Sequence, residues 1–335
     1  MKKAFFFILV PLLIQLVSVH AKTVGHAIVP NPSTVALDPE LTESPVSVKT
    51  LSGTVSGSLV MPKTISGKIP LVLIIGDSGP TDRDGNNAKA GIKANTYKLM
   101  ANELGKKGIA TIRYDKRGVG ASVSSTKESE LRIEDYGDDA VSLITMLAGD
   151  ERFSKIILFG HGEGALVAMI AITDQPIAAF ISAEGAGEQA DKMLTDQMKS
   201  KPKFLADEFK TILDSLRKGK TTDQVDPALY YIARPSYQHF LMSWCRCLPT
   251  KGIKAVKKPI LIIQGTTDLQ IKVENGQKLK KAKSEAVYLE IKGMNHILKE
   301  APADEDQNYD TFSKPDLPLK PELVTGIVDF VNRLK

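Results

Sequence analysis

The chain is poor in the residues that hold metals or staple small folds. It has two cysteines, Cys245 and Cys247, one residue apart, and five histidines. That leaves no spaced Cys/His set of zinc-site type and no disulfide framework. A bridge between Cys245 and Cys247 would close a very small, strained ring, so both are read as ordinary thiols. An excess of one charge is lacking too. Lys and Arg number 44 against 39 Asp and Glu, a formal charge of +5, and the lysines are scattered along the chain. Such a balance gives no reason to expect nucleic acid as a partner. Past the N-terminus no apolar run approaches the ~20 residues that a membrane-spanning helix needs.

What is present begins with a secretory signal. Lys2 and Lys3 form a short basic region, and Ala4 to Val19 is apolar apart from Gln15 and Ser18. Val19-His20-Ala21 is a small-residue cleavage site, so residues 1–21 are expected to leave and Lys22 to start the mature chain. The expectation is a periplasmic or secreted protein with no stable membrane insertion after cleavage. Residues 22–45, rich in Pro, Ser and Thr, read as a linker.

The remainder alternates strand and helix patterns. Val46 to Met61 reads as antiparallel strands turning around Gly53 and Gly57. Continuous apolar runs follow at Ile69–Ile75, Ile109–Tyr114, Lys155–Phe159, Ile177–Ile181, Pro259–Ile263 and Ala286–Ile291. Helical spacing separates them at Thr96–Lys107, Glu134–Leu147 and Lys272–Lys281, and Pro321–Leu334 closes the chain. This order implies an α/β fold with a mostly parallel sheet covered by helices on both faces. Residues 188–255 break the rhythm. They carry helical patterns, no clear strand, and an aromatic cluster of Tyr230, Tyr231, Tyr237, Phe240 and Trp244. They are expected to form a helical cap inserted into a core of residues 46–187 and 256–335.

One motif carries the chemistry. A buried strand runs into Gly160-His161-Gly162-Glu163-Gly164, and a helix opens at Ala165. The spacing is that of the G-x-S-x-G elbow, where a serine sits on a sharp strand-to-helix turn. Here Gly162 holds the serine's place and has no hydroxyl. The other members of a serine-hydrolase site follow in the order such folds use, nucleophile, acid, base. Asp268 lies just past the strand ending near Ile263, and His296 just past the strand ending near Ile291, so both should reach the sheet edge that carries Gly162. They are the expected acid and base. The backbone N–H of Glu163 is one expected oxyanion donor. The second should come from the loop after Ile75, from Asp77 or Ser78. His161 is read as a packing residue pointing away from the site.

The chain resembles the bacterial α/β-hydrolases of the EstD-like esterase group, often described as serine aminopeptidase-like hydrolases. Gly79-Pro-Thr-Asp-Arg-Asp-Gly-Asn86 and Gln264-Gly-Thr-Thr-Asp-Leu-Gln270 are the specific matches. Arg113-Tyr-Asp-Lys-Arg-Gly-Val-Gly120, Gly160–Gly164, Met294-Asn-His296 and Arg234-Pro-Ser-Tyr-Gln238 with Ser243-Trp244 also match. The resemblance runs from about Val46 to the C-terminus. It implies hydrolysis of a small-molecule carboxylic ester through an acyl-serine, with no metal and no organic cofactor. The chain departs from it at Gly162, and at Asp77, where the family more often has a small neutral residue.

Three functional readings follow. The chain is an esterase-family protein impaired at its nucleophile. Alternatively it is a non-catalytic pseudohydrolase that binds an ester or acyl ligand, or a protein partner through the cap aromatics. A third reading keeps residual hydrolysis, by water activated by His296 and Asp268 or by Ser78 as a displaced nucleophile. Restoring serine at position 162 is expected to recover esterase activity at a cost of about 1 kcal/mol in backbone strain.

Overall fold

The computed structural model describes residues 35–334; the expected signal segment and residues 22–34 lie outside them. The first strand, β1 (Leu41–Thr50), begins inside the stretch expected to be linker, because Leu41 is buried against Val60 and Ala101. A tight turn returns the chain as β2 (Gly53–Pro62), paired antiparallel with β1 along its whole length. Gly57, expected at a turn, lies within β2 opposite Val46 and Tyr114.

The alternating pattern then produces β3 (Ile69–Ile75), α1 (Thr96–Gly105), β4 (Ala110–Tyr114), the two-residue β5 (Val123–Ser124), α2 (Ile133–Ala148), β6 (Phe153–His161), α3 (Glu163–Ala171) and β7 (Ala179–Ala183). Five helices follow with no strand between them: α4 (Ala190–Met198), α5 (Lys203–Arg217), α6 (Tyr230–Ala233), α7 (Gln238–Arg246) and α8 (Pro249–Ala255). The core resumes with β8 (Ile260–Gly265), α9 (Val273–Ala282) and β9 (Val287–Ile291), and ends with α10 (Glu305–Asp310) and α11 (Pro321–Arg333). Sequence patterning did not mark α10, which is short and polar.

The nine strands among the described residues form one sheet in the order β1-β2-β4-β3-β6-β7-β8-β9, with β5 pairing β2. From β4 to β9 every pairing is parallel. The apolar runs are continuous because these strands, apart from the edge strand β9, are covered on both faces. On β3, Leu71, Leu73 and Ile75 join one core with α2, α3 and the cap helices, while Val72 and Ile74 join the other with α1 and α11. The cap shares that first core, so it is packed onto the sheet's own helices rather than around a separate centre.

The order also fixes where a ligand belongs. From β3 the chain moves to β4 on one side, then crosses to β6 on the other. Open α/β sheets bind ligands at such a switch point, outside the carboxyl ends of the strands. The loops leaving β3 and β6 there carry Asp77 and Gly162.

Candidate active site

The turn after β6 has the backbone of a nucleophile elbow. Gly162 stands at φ 54°, ψ −118°, a conformation that L side chains rarely adopt, and α3 starts at the next residue. The turn is tight: a Cβ at Gly160 would lie 2.5 Å from the Ala165 Cα. The Gly162 N–H donates to the Ala183 carbonyl at 3.0 Å, tying the elbow to β7.

The space a serine would fill is taken. Asp77, two residues past β3, turns its carboxylate onto the elbow. A Cβ at Gly162 would lie 2.6 Å from the Asp77 Cγ and closer still to its Oδ1. Oδ1 accepts the Glu163 N–H at 3.0 Å, at the N-terminus of α3, where the helix dipole favours an anion. Oδ2 meets His296 Nε2 at 2.9 Å. His296 Nδ1 in turn meets Asp268 Oδ2 at 2.7 Å. Asp268 is held by the N–H groups of Gln270 and Ile271, which donate to its Oδ1 at 2.7 and 2.9 Å. The structure thus brings Gly162, Glu163, Asp77, Asp268 and His296 together at one sheet edge.

Asp77 does not play the part expected of it. Its N–H is not free for an oxyanion but donates to Tyr97 Oη at 2.9 Å. Its side chain points into the site. The N–H of Glu163, expected to serve a substrate oxyanion, serves this carboxylate instead. Ser78 lines the cleft. Among the described residues no hydrogen bond joins its hydroxyl to His296, so it is not placed as a displaced nucleophile.

The charges follow from the geometry. Burial opposes ionisation of Asp77, but the His296 charge and hydrogen bond override it and hold the carboxyl far below its ordinary value. The Ser78 N–H adds to that stabilisation. For His296, burial works against the imidazolium, and Asp268 and Asp77 outweigh it, so its pKa rises well above the ordinary value. The resting site is a carboxylate–imidazolium–carboxylate row with both ring N–H groups of His296 donating.

Several supporting groups were not legible in the sequence. His161 does more than pack. It is buried, and burial lowers its pKa to about 4, so it is neutral. Its Nε2 faces the His296 carbonyl at 2.7 Å and must donate there. Its Nδ1 therefore accepts the Tyr97 hydroxyl at 2.8 Å, and Tyr97 accepts the Asp77 N–H. This relay fixes the backbones of Asp77 and His296 relative to each other. Lys116 donates to Glu163 Oε1 at 2.7 Å and to the Asp77 carbonyl at 3.0 Å, over the Tyr136 ring. Burial works against its charge, and Glu163 holds it above its ordinary pKa. Glu184, just past β7 at φ 49°, accepts the Gly265 N–H at 2.8 Å and a Gln264 amide hydrogen. Burial, with Asp268 beside it, raises its pKa well above the ordinary value. Glu184 offered a signal of sorts, an acid directly after a strand; Tyr97 and Lys116 offered none.

Two cavities open over the row. A small one of about 60 Å³ is lined by Asp77, Gly162, Glu163 and His296 below and by Met193 and Trp244 of the cap above. A larger cleft of about 1030 Å³ shares Asp77, Ser78 and His296 and runs between Arg117, Tyr136 and Tyr237. Among the described residues no group of three or more His, Cys, Asp or Glu side chains is arranged to hold a metal. No described helix is long and apolar enough to cross a membrane. Cys245 and Cys247 are free thiols, and burial pushes Cys245 up to about 12.

Comparison with known proteins agrees with the fold. The family model described as serine aminopeptidase, S33, matches residues 90–230. No curated protein sequence matches the chain. Among solved structures, Est1E from Butyrivibrio proteoclasticus with ferulic acid bound superposes with a TM-score of 0.58 at 16% identity, covering 86% of this chain and 100% of that one. The Pyrococcus furiosus esterase Pf2001 gives a TM-score of 0.54 at 16% identity, over 88% and 91%. The α/β hydrolase GrgF from a Penicillium species gives 0.57 at 16% identity, over 88% and 99%. By these likenesses the chain has the α/β-hydrolase fold.

Proposed function

We propose that the chain is an exported protein of the carboxylic-ester hydrolase type in which ester hydrolysis through an acyl-serine is disabled, and which binds a small ester- or acyl-like ligand in the cleft over Asp77 and His296. One observation carries this reading: the Asp77 carboxylate fills the space above Gly162, occupies the Glu163 N–H and engages His296 Nε2. A substrate carbonyl finds neither a hydroxyl to attack it nor that donor to receive its oxygen. Activation of water by His296 is disfavoured as well, because an imidazole that keeps its proton at neutral pH is no base. Export rests on the N-terminal sequence pattern alone.

The ligand class draws on the larger cleft. Its walls of Tyr136, Tyr237 and Trp244 beside Arg117 suit an aromatic or acyl body with a carboxyl-derived head. Est1E, with ferulic acid bound, is a fold relative that holds such a molecule. The test is the purified protein against a panel of p-nitrophenyl esters together with a serine-directed fluorophosphonate probe. Absence of turnover and of labelling, with ferulate-type acids still binding by calorimetry, is the expected result. Turnover at ordinary esterase rates would sink the proposal. Protein recovered from the cytoplasm with residues 1–21 intact would remove the export part.

A further inference from the structure

The carboxylate that blocks the serine reaction is itself built like a nucleophile. We propose that Asp77 is a catalytic carboxylate that opens small epoxides, through an ester formed between its Oδ2 and a ring carbon of the substrate. The inference shares with the preceding section only the cleft as the ligand's place, and it concerns a different reaction.

Four features of the site support it. Asp77 has taken over the nucleophile's contacts, with the base on one oxygen and the helix N-terminus on the other. Carboxylates are competent covalent nucleophiles when so held. The absence of a side chain at Gly162 leaves room for that carboxylate beside the small cavity, which is lined by Asp77, Gly162 and His296. The acid is already in place, since His296 Nε2 carries a proton 2.9 Å from Oδ2. Finally, an anion beside a proton donor suits a neutral electrophile whose leaving oxygen must be protonated. A strained cyclic ether meets that condition, whereas an ester carbonyl would need the N–H that Oδ1 occupies.

The steps balance. Asp77 Oδ2 attacks a ring carbon, the carbon–oxygen bond breaks, and the ring oxygen takes the Nε2 proton of His296. This leaves a hydroxyalkyl ester on Asp77 and a neutral imidazole. Esterification removes the Asp77 charge, one of the two that held the proton on His296. The neutral ring, oriented by Asp268, then takes a proton from water as the water oxygen adds to Cγ. Negative charge develops on Oδ1, which faces the Glu163 N–H at 3.0 Å, so the oxyanion donor is already aligned. Collapse expels the diol oxygen, which takes the proton from His296. The new carboxylic acid returns its own proton to the ring and the ion pair is restored. One epoxide and one water give one diol.

The experiment uses the purified protein with 1,2-epoxybutane and with styrene oxide in oxygen-18 water. Diol is measured by chromatography, and the tryptic peptide 69–83 by fragmentation mass spectrometry. Heavy oxygen is expected in the Asp77 carboxylate and not in Asp82 of the same peptide. Acid quenching during turnover should reveal that peptide carrying the mass of the epoxide. Asp77→Ala, checked for folding by circular dichroism, should lower diol formation at least about 10³-fold, as losing a covalent nucleophile does. Diol formed while Asp77 stays unlabelled would mean direct attack by water and overturns the proposal. So does the absence of both diol and label with either epoxide. Ester turnover by the same preparation would count against the preceding section alone.

Discussion

Returning a serine to the elbow should fail unless Asp77 is removed with it. The perturbation is a double-mutant cycle of Gly162→Ser and Asp77→Ala. At φ 54°, ψ −118° a non-glycine residue is strained by about 1–3 kcal/mol. In addition the new Cβ would sit 2.6 Å from the Asp77 Cγ, far inside the ~3.5–4.0 Å of favourable carbon contact. The carboxylate must swing out, losing the Glu163 N–H and the His296 contact. Hydrogen bonds to charged groups contribute about 1.5–3 kcal/mol each, and the lower end applies because a fifth of the Asp77 side chain already faces the cleft. Gly162→Ser alone should therefore destabilise by about 4–6 kcal/mol. In the Asp77→Ala background only the strain remains. Urea unfolding should show the double variant more stable than the sum of the singles by about 2–3 kcal/mol. Activity should follow the same logic. The single serine variant faces an occupied oxyanion donor and an engaged base. The double variant frees both and should hydrolyse p-nitrophenyl butyrate at least about 10²-fold faster, the value of one oxyanion donor. Additivity within about 0.5 kcal/mol, with equal ester rates in the single and double variants, would refute the placement of Asp77.

Three further outcomes follow from the surrounding groups. Lys116→Met leaves the Glu163 carboxylate buried without its partner and should cost about 3–5 kcal/mol in urea unfolding. His161 titrates at about 4 in the folded chain and near the ordinary 6.5 when unfolded, so the unfolded state binds more protons between those values and stability falls as pH drops through that window. The loss reaches about 3 kcal/mol, at about 1.4 per unit, and His161→Gln should flatten a stability profile measured by urea unfolding. Glu184→Gln keeps an oxygen for the Gly265 N–H and should shift stability by less than about 1 kcal/mol. Glu184→Ala, which leaves the Gly265 N–H and one Gln264 amide hydrogen unpaired, should cost about 2–4 kcal/mol by thermal melting.

The inner strands of the sheet were legible because they are buried on both faces and read as apolar runs. Strand ends were less so: β6 continues two residues into the glycine motif because the elbow begins only at Gly162. Asp268 and His296 were found because each follows a strand whose carboxyl end the pattern had already located. Tyr97, His161 and Lys116 escaped notice for one physical reason. Their roles are tertiary: Tyr97 comes from a helix 64 residues before His161, and Lys116 meets Glu163 across 47 residues. No local spacing records such a meeting. Gly57 misled because a glycine within a strand reads as a turn until its neighbours on both sides are known.

The same limit explains Asp77 and Gly162. Taken singly, the glycine is a lost nucleophile and the aspartate an unwelcome charge near an oxyanion. In the fold they lie at the ends of adjacent strands, and each accounts for the other. The carboxylate fits only because position 162 has no side chain. The empty turn, in turn, presents an N–H at a helix start that an anion stabilises. Changing either residue alone leaves a clash or a His296 Nε2 without its carboxylate, so the pair behaves as a single unit. That coupling makes the retained Asp268–His296 pair intelligible: it still has a partner on its far side, and the partner is a carboxylate in place of a hydroxyl.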